Sequence, residues 1–206
     1  VLISANAPFD RANFGSQREA MSAAQWRGLE LFRGKAGCTS CHLIGNESAL
    51  FSDDRLHNTG IGYRGTMMPT PAWRTIQIAP GVQVEVETAS YAASAERPPS
   101  DLGRYEVTQD PADRWRYRTP GLRNVALSAP YMHDGSLATL AQVVKFYDQG
   151  GVPNPTLDPL IRPLNLTSQE RGDLVAFLAA LTGDRTATLV RDAFAAAHPH
   201  TVPTVA

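Results

Sequence analysis

The 206-residue sequence predicts a mainly α-helical fold with long irregular loops and at most a short β-hairpin. Three segments combine a helix-capping pattern with apolar residues at helical spacing. Residues 43–135, by contrast, are rich in Gly, Pro, Asn, Asp and Thr, and only GVQVEVETA, with its alternating valines, is typical of a strand. So long an irregular region in a compact domain indicates a functional segment or one that encloses a large buried group.

Each predicted helix is marked by a Ser or Thr followed three residues later by Gln or Glu, the pattern of a capping box. The pairs are Ser22 with Gln25, Thr139 with Gln142, and Thr167 with Glu170. The apolar residues that follow them are Trp26, Leu29 and Phe32, then Leu140, Val143, Val144 and Tyr147, then Leu174, Phe177, Leu178 and Leu181. Glycines at 34, 150–151 and 183 are expected to end the helices.

The stretch GCTSCHLIG, residues 37–45, holds the only two cysteines, Cys38 and Cys41, followed directly by His42. A structural zinc site needs about four Cys or His ligands, and a thioredoxin-like dithiol follows a strand in a βαβ unit. The sequence shows neither pattern. Covalent attachment of haem accounts for all three residues, because two thiols bond the vinyl groups and the imidazole binds the iron. We therefore predict a c-type cytochrome domain with one haem c, a plain disulfide being the alternative.

Composition restricts the class of protein further. With 43% apolar and 19% charged residues the chain can bury a sizeable core, and a formal net charge of −1 gives no indication of nucleic-acid binding. No run of about 18 apolar residues is present to span a membrane. Covalent haem is attached outside the reducing cytosol, so we expect a periplasmic or otherwise exported protein.

The residues alone leave the second axial ligand of the iron open. The candidates are Met67, Met68, Met132, His57, His133 and Tyr147. A methionine thioether would stabilise Fe(II) and raise the reduction potential. The two histidines are equally well explained as hydrogen-bond donors at the haem edge or as structural residues.

Four blocks of sequence carry distinctive motifs: GLELFRGKAGCTSCH, FSDDRLHNTGIG, RYEVTQDPADRWRYRTPGLRNVALSAPYMHDGSLATLAQVVKFYDQGG and DPLIRPLNLTSQERGDLVAFLAALTG. Together they resemble the C-terminal haem domain of the di-haem cytochrome c peroxidase and MauG family. The segment around GVQVEVETASYAASAERPPSD most resembles the MbnH-like branch, whose members oxidise a tryptophan of a small copper-binding partner to kynurenine.

The resemblance divides the chain into three parts. LISANAPFDR resembles the segment that enters this domain from a preceding one, so residues 1–20 are expected to connect to a missing N-terminal haem domain. Residues 21–184 are expected to form the cytochrome c-type haem domain, and residues 185–206 a C-terminal tail. The family carries two C-x-x-C-H motifs and handles peroxide at the N-terminal haem, whereas this chain has one. It is either a piece of a longer protein or a single-haem relative.

The resemblance also implies roles for residues outside the motif. Tyr147 falls at the second axial position, which is Met in the peroxidases and Tyr in MauG-like members. Arg123 matches an arginine near the haem and is expected to pair with a propionate, a surface ion pair being the alternative. Ser128 and Pro130 match a segment whose backbone oxygens help to hold Ca²⁺ between two haem domains. Calcium is therefore expected only in the complete protein.

The function implied is that of the low-spin, electron-relaying haem half of a MauG-like di-haem peroxidase, which oxidises a partner protein with hydrogen peroxide. The expected partners are the N-terminal haem domain or chain and a protein electron donor or substrate, such as a copper-binding protein. The alternative is a stand-alone mono-haem electron-transfer cytochrome.

Overall fold

The computed structural model describes residues 6–68, 72–79, 82–90, 101–186 and 188. Its helices are α1 Pro8–Asn13, α2 Ala23–Arg33, α3 Ile61–Met67, α4 Tyr105–Thr108, α5 Leu140–Asp148 and α6 Ser168–Ala179. Short 3-10 turns cover Arg18–Ala20, Cys38–Ser40, Pro111–Asp113 and Val125–Leu127. The strands are β1 Leu56–His57, β2 Trp73–Ala79, β3 Val82–Glu87 and β4 Tyr117–Arg118. The predicted mainly α-helical fold with long loops is confirmed.

All three predicted capping boxes are formed. At the start of α2, Ser22 Oγ accepts a hydrogen bond from Gln25 N at 3.3 Å, and Gln25 Oε1 accepts one from Ser22 N at 2.8 Å. The same reciprocal bonds begin α5 and α6. Helix α6 ends at Ala179, before the stop predicted at Gly183, and the chain then continues in a tighter turn in which Leu181 N donates to the carbonyl three residues before it.

Helices α2 and α6 pack closely at Gly28. A Cβ atom on Gly28 would lie 2.0 Å from the carbonyl oxygen of Asp173, so only glycine fits there. In the adjacent position, Arg27 donates from Nε and Nη2 to the buried Asp173 carboxylate, both at 2.8 Å. A charge buried against a helix needs such a bidentate partner. This contact fixes α2, and the C-x-x-C-H motif that follows it, relative to α6.

A cluster of phenylalanines joins the amino-terminal segment to these helices. The Phe9 ring of α1 lies edge-on to Phe51 and Phe177, with centroids 5.2 and 5.9 Å apart, and Phe32 is 5.0 Å from Phe177. Phe9 N also donates to Ala180 O at 3.1 Å. The described residues of the segment 1–20 therefore pack on the same core as the haem motif.

The strands form two small antiparallel pairs. The strand predicted from alternating valines is confirmed as β3, which pairs with β2 so that Trp73 lies opposite Glu87. A second pair, β1 with β4, sets His57 opposite Tyr117 and was not predicted, because two-residue strands show no periodicity in a sequence. This pair holds the loop after the haem motif beside residues 117–119.

Among the described residues, no helix is both long and apolar enough to cross a bilayer. The predicted tail, residues 185–206, lies outside the described residues except for 185, 186 and 188. The three domain boundaries stay predictions.

Candidate haem-binding site

Helix α2 delivers the C-x-x-C-H motif to the edge of the core. After the helix, Gly37 adopts the left-handed conformation, with φ +62°, and the chain turns through Cys38–Ser40. Within this turn Cys41 N and His42 N both donate to Cys38 O, at 3.3 and 2.9 Å. These tight bonds gather two thiols and an imidazole into one small region, and both cysteines are free.

The His42 imidazole is held in the form that binds a metal. Its Nδ1 lies 2.6 Å from Phe51 O, and because a carbonyl only accepts, Nδ1 carries the proton and Nε2 keeps its lone pair. Burial lowers the pKa of His42, and the bond to Phe51 opposes this only in part. The neutral imidazole is therefore favoured, as an iron ligand requires. The sequence could not single out Phe51, since a backbone carbonyl has no residue signature.

The electrostatics of the two thiols are those of a structural pair. Burial raises the pKa of Cys38 to about 12 and that of Cys41 to about 11. Nearby carboxylates of Asp53 and Asp158 add to the rise at Cys41. A redox-active C-x-x-C pair shows the opposite, a lowered pKa produced by positive charge or a helix N-terminus. The site thus lacks the field that a disulfide-exchange centre needs.

Tyr147, the predicted second axial ligand, lies in the last turn of α5. Burial raises the pKa of Tyr147 to about 12, and negative charge on Cys38 and Cys41 contributes to the rise. That contribution requires the phenol to lie within electrostatic reach of both sulfur atoms. The ring is half-buried and meets Phe146 edge-on, with centroids 5.3 Å apart. The Tyr147 phenol is thus electrostatically coupled to both cysteines of the haem motif, while its ligation of iron stays a prediction.

The methionines considered as axial ligands lie elsewhere or in a loop. Met67 ends α3 and is 62% exposed, and Met68, which follows it, is 47% exposed. Met132 is half-buried, with φ +69°, in the loop before α5. Of these three methionines, Met132 is therefore the one least exposed to solvent.

Arg123 has partners of its own in the structure. Its Nη1 donates to the Asp10 carboxylate and its Nε to Ala49 O, both at 2.7 Å. The guanidinium also lies over the rings of Phe9 and Phe51, 5.8 and 5.3 Å from their centroids. Arg123 is thus a half-buried ion pair that ties α1 to the loop after the haem motif. Its pairing with a propionate stays a prediction.

Ser128 and Pro130, predicted to offer carbonyls to calcium, follow the 3-10 turn Val125–Leu127. Ser128 is exposed, and its Oγ donates to Val125 O at 3.0 Å. None of the described hydrogen bonds uses the carbonyl oxygen of Ser128 or of Pro130. Both oxygens are thereby compatible with a cation, and the calcium role stays a prediction.

His57 stands between two carboxylates beside the haem motif. Its Nε2 lies 2.9 Å from Asp53 Oδ2 and its Nδ1 lies 2.7 Å from Asp158 Oδ2. Burial alone would lower the pKa of His57, but the two carboxylates outweigh it and raise the pKa. Cys41, Asp53 and His57 present ligand atoms within 4.8 Å of one another. Both imidazole nitrogens are already engaged, however, and haem attachment would occupy the sulfur, so the cluster is structural.

A second cluster is formed around His133, and the sequence predicted neither this cluster nor the one around His57. His133 Nε2 lies 2.6 Å from Asp101 Oδ1, and the imidazole stacks on Tyr117 with centroids 3.7 Å apart and planes 14° from parallel. The Tyr117 hydroxyl donates to the same Asp101 carboxylate and, at 2.8 Å, to Asp101 O. Asp101 and Asp158 are far in sequence from His133 and His57, the histidines they bind. No local sequence pattern could therefore predict either pair.

The residues present fit a c-type haem. Two free, half-buried thiols lie in a C-x-x-C-H turn, and the following imidazole keeps Nε2 available. The half-buried phenol of Tyr147 is electrostatically coupled to both cysteines. Helix α2, which leads into this turn, packs against α6 in the helical core. Fold and site together are those of a c-type cytochrome domain.

Comparison with known proteins places the domain more closely, although no protein-family model matches the chain. The cytochrome-c peroxidase IdrP2 of Denitromonas iodatirespirans is 39% identical over 183 residues, which is 89% of this chain and 46% of that protein. The methylamine utilization protein MauG of Methylorubrum extorquens is 32% identical over 185 residues, 89% of this chain and 41% of MauG. A crystal structure of a MauG-like protein associated with microbial copper homeostasis superposes with a TM-score of 0.58 and 31% identity, over 87% of this chain and 52% of that one.

The chain belongs to the di-haem cytochrome c peroxidase and MauG family. It spans about half the length of the curated relatives that it matches.

Proposed function

We propose that this chain is the low-spin haem half of a MauG-like di-haem peroxidase that uses hydrogen peroxide to oxidise a partner protein. The observation that supports the proposal is the C-x-x-C-H turn with its oriented His42 imidazole, to whose two cysteines the Tyr147 phenol is electrostatically coupled. With His42 on the iron, a tyrosine oxygen would complete six-coordination and leave no open position for peroxide. Such a haem stores and passes on oxidising equivalents.

When bound, the haem supplies an iron that gives up and takes back single electrons. His42 contributes a neutral imidazole whose orientation is set by Phe51 O. Tyr147 contributes a hard oxygen donor, which favours oxidised iron over Fe(II). The positive charge of a bound iron would favour the phenolate of Tyr147 over the phenol, and so would act against the raised pKa of Tyr147.

Peroxide chemistry belongs, in this proposal, to a second haem in an N-terminal domain or chain. Peroxide cleavage needs a general acid near an open iron position, which a six-coordinate haem does not offer. We propose that the two haems share oxidising equivalents across their interface and that Ser128 and Pro130 help to hold Ca²⁺ there. Export to the periplasm accompanies covalent haem attachment.

For the substrate, we propose a copper-binding partner protein whose tryptophan is converted to kynurenine. Two observations support this choice: the likeness of the hairpin segment to the MbnH-like branch, and the similarity to a MauG-like protein associated with microbial copper homeostasis. Mass spectrometry of the partner, after incubation with the complete enzyme and peroxide, tests it. An unmodified tryptophan would exclude kynurenine formation and leave the peroxidase function standing.

The second candidate function is a stand-alone mono-haem electron-transfer cytochrome. The presence of one C-x-x-C-H motif favours it. The gene sequence separates the two candidate functions, because a second C-x-x-C-H motif encoded upstream would exclude a mono-haem cytochrome.

The test of the proposed function is the reaction of the haem-loaded 206-residue chain with peroxide. We expect an intact mass of the chain plus one haem, a low-spin ferric spectrum, and only slow bleaching on stopped-flow mixing with peroxide. The matched sample is the longer polypeptide that includes the second haem domain, which should react rapidly. Rapid formation of a stable oxidised species by the 206-residue chain alone would contradict the proposal.

A further inference from the structure

Tyr117, Asp101 and His133 form a cluster for which haem binding gives no reason. Tyr117 lies on β4, Asp101 precedes α4, and His133 lies in the loop before α5. All three side chains are partly buried, with exposures of 28% for His133 and 20% for Asp101. Three separate segments thus converge on one carboxylate.

We infer that Tyr117 is a redox-active tyrosine whose oxidation is coupled to proton transfer to Asp101, making it an electron relay between the haem and a protein substrate. The inference rests on the proposed function, which supplies the oxidant, a haem oxidised by peroxide. Tyr117 lies outside the C-x-x-C-H motif and is not one of the predicted axial ligands.

The hydrogen bonding provides the proton acceptor that tyrosine oxidation needs. Removing an electron from a phenol leaves a positive charge, and a partly buried site disfavours that charge unless the hydroxyl proton departs. The Tyr117 hydroxyl donates directly to the Asp101 carboxylate, which satisfies the geometric requirement for a base. Burial and the bond to Asp101 raise the pKa of Tyr117, so the hydroxyl keeps its proton at neutral pH.

His133 contacts both the Asp101 carboxylate and the Tyr117 ring. It shares Asp101 Oδ1 with Tyr117, at 2.6 Å from Nε2, and helps to lower the pKa of Asp101 although burial alone would raise it. The carboxylate is therefore ionised and free to accept a proton. The imidazole lies parallel to the phenol at 3.7 Å and excludes water from that side of the ring.

A short route of bonds connects Tyr117 to the axial imidazole. His42 Nδ1 donates to Phe51 O at 2.6 Å, and the next residue, Ser52, donates from Oγ to Thr119 O at 2.7 Å. Tyr117 is two residues from Thr119, and consecutive Cα atoms are about 3.8 Å apart. Trp115, a further two residues along, stacks edge-on with Tyr63 at 5.0 Å.

The redox step balances as follows. The Tyr117 O–H bond breaks, its proton forms an O–H bond on Asp101, and one electron moves to the peroxide-oxidised haem, which is reduced by one equivalent. Tyr117 becomes a neutral radical. A protein substrate then gives one electron to the radical, and the proton returns from Asp101.

The test uses the haem-loaded protein and a ruthenium photosensitiser with a sacrificial acceptor, so that the oxidant does not depend on peroxide. Freeze-trapped samples carrying ring-deuterated tyrosine are examined by electron paramagnetic resonance. We expect a tyrosyl signal in the natural protein, its loss in Tyr117→Phe, and its retention in Tyr105→Phe. Tyr105, in α4, is a suitable control because its ring lies outside the cluster, with the Arg114 guanidinium 4.8 Å from the ring centroid.

A second variant tests the proton acceptor. Asp101→Asn should slow radical formation at neutral pH about a hundredfold, the contribution expected of a positioned base, and Asp101→Glu should restore much of it. A tyrosyl signal that survives Tyr117→Phe, or a rate unchanged in folded Asp101→Asn, would overturn the relay. Peroxide turnover is measured separately, on the longer polypeptide that includes the second haem domain: its absence there would defeat the proposed function, while a photochemical Tyr117 radical would still support the relay.

Discussion

The His42 side and the Tyr147 side of the candidate haem site are built in different ways. On the His42 side, both thiols, the imidazole and the carbonyl that orients it lie between Gly37 and Phe51. On the Tyr147 side, the phenol comes from α5, 105 positions after His42. Short-range hydrogen bonds determine the first arrangement, whereas the second depends on how α5 packs against the core. Substitutions on the two sides should therefore have different effects on the haem site.

The largest effect is expected from His42→Ala. Haem should remain attached through Cys38 and Cys41, but the iron should lose its proximal ligand and its six-coordinate ferric spectrum. Absorption and electron paramagnetic resonance spectra of the purified protein measure this change. His133→Gln is the control, since His133 pairs with Asp101 away from the motif, and it should leave the spectrum intact. An unchanged spectrum in His42→Ala would assign the proximal position to another residue.

The next effect is expected from substitutions of Tyr147. Tyr147→Phe should open the sixth position to water or an added ligand such as cyanide, and Tyr147→Met should raise the reduction potential, because a thioether favours Fe(II). Spectroelectrochemical titration measures both. Tyr131→Phe serves as the control, being a half-buried tyrosine in the loop before α5. If Tyr147→Phe kept the natural spectrum and potential, Met132 would become the leading axial candidate.

The support of the His42 side can be tested at Gly28. Gly28→Ala would set a Cβ atom 2.0 Å from Asp173 O, so the helices must move apart, at a cost of about 3 kcal/mol in the free energy of unfolding. Gly172→Ala is the matched control, because nothing lies within 4 Å of its added methyl group. It should stabilise α6 by about 0.5–1 kcal/mol. Equal stabilities of the two variants in urea would mean that α2 and α6 do not pack as described.

The smallest effect concerns the pH dependence of stability at His57. The raised pKa of His57 means that its contribution is complete below the unfolded value of about 6.5 and is lost as pH rises through the folded pKa. For Asp53, burial alone would raise the pKa, but hydrogen bonds from Arg55 N, His57 and Thr119 lower it to about 2. Its contribution is present above about pH 4 and lost as pH falls through about 2.

The difference in unfolding free energy between the natural protein and His57→Gln should therefore be greatest between about pH 4 and pH 6.5 and should shrink on either side. Urea titrations across this range measure it. Asp54→Asn is the control, since the Asp54–Arg118 ion pair is about two-thirds exposed on both side chains and contributes little. A difference that does not vary with pH would show that His57 is uncharged in the folded protein.

Sequence alone was sufficient for features whose determinants lie within a few residues of one another. The capping boxes at Ser22, Thr139 and Thr167 formed as predicted, because the bonding atoms are three residues apart. The buried face of α6 followed from its helical spacing, apart from Asp173. The C-x-x-C-H motif likewise specifies its own turn. The haem that these residues are predicted to hold was indicated by the same local pattern.

Tertiary structure decided the contacts between distant segments. Gly28 against Asp173, His57 between Asp53 and Asp158, and Asp101 between His133 and Tyr117 each join residues from different elements, and mostly from different parts of the chain. The sequence marks such residues only as polar or small, because a hydrogen bond or a close approach depends on which segments become neighbours. Packing of distant segments likewise gave the Tyr117 hydroxyl its hydrogen bond to the Asp101 carboxylate.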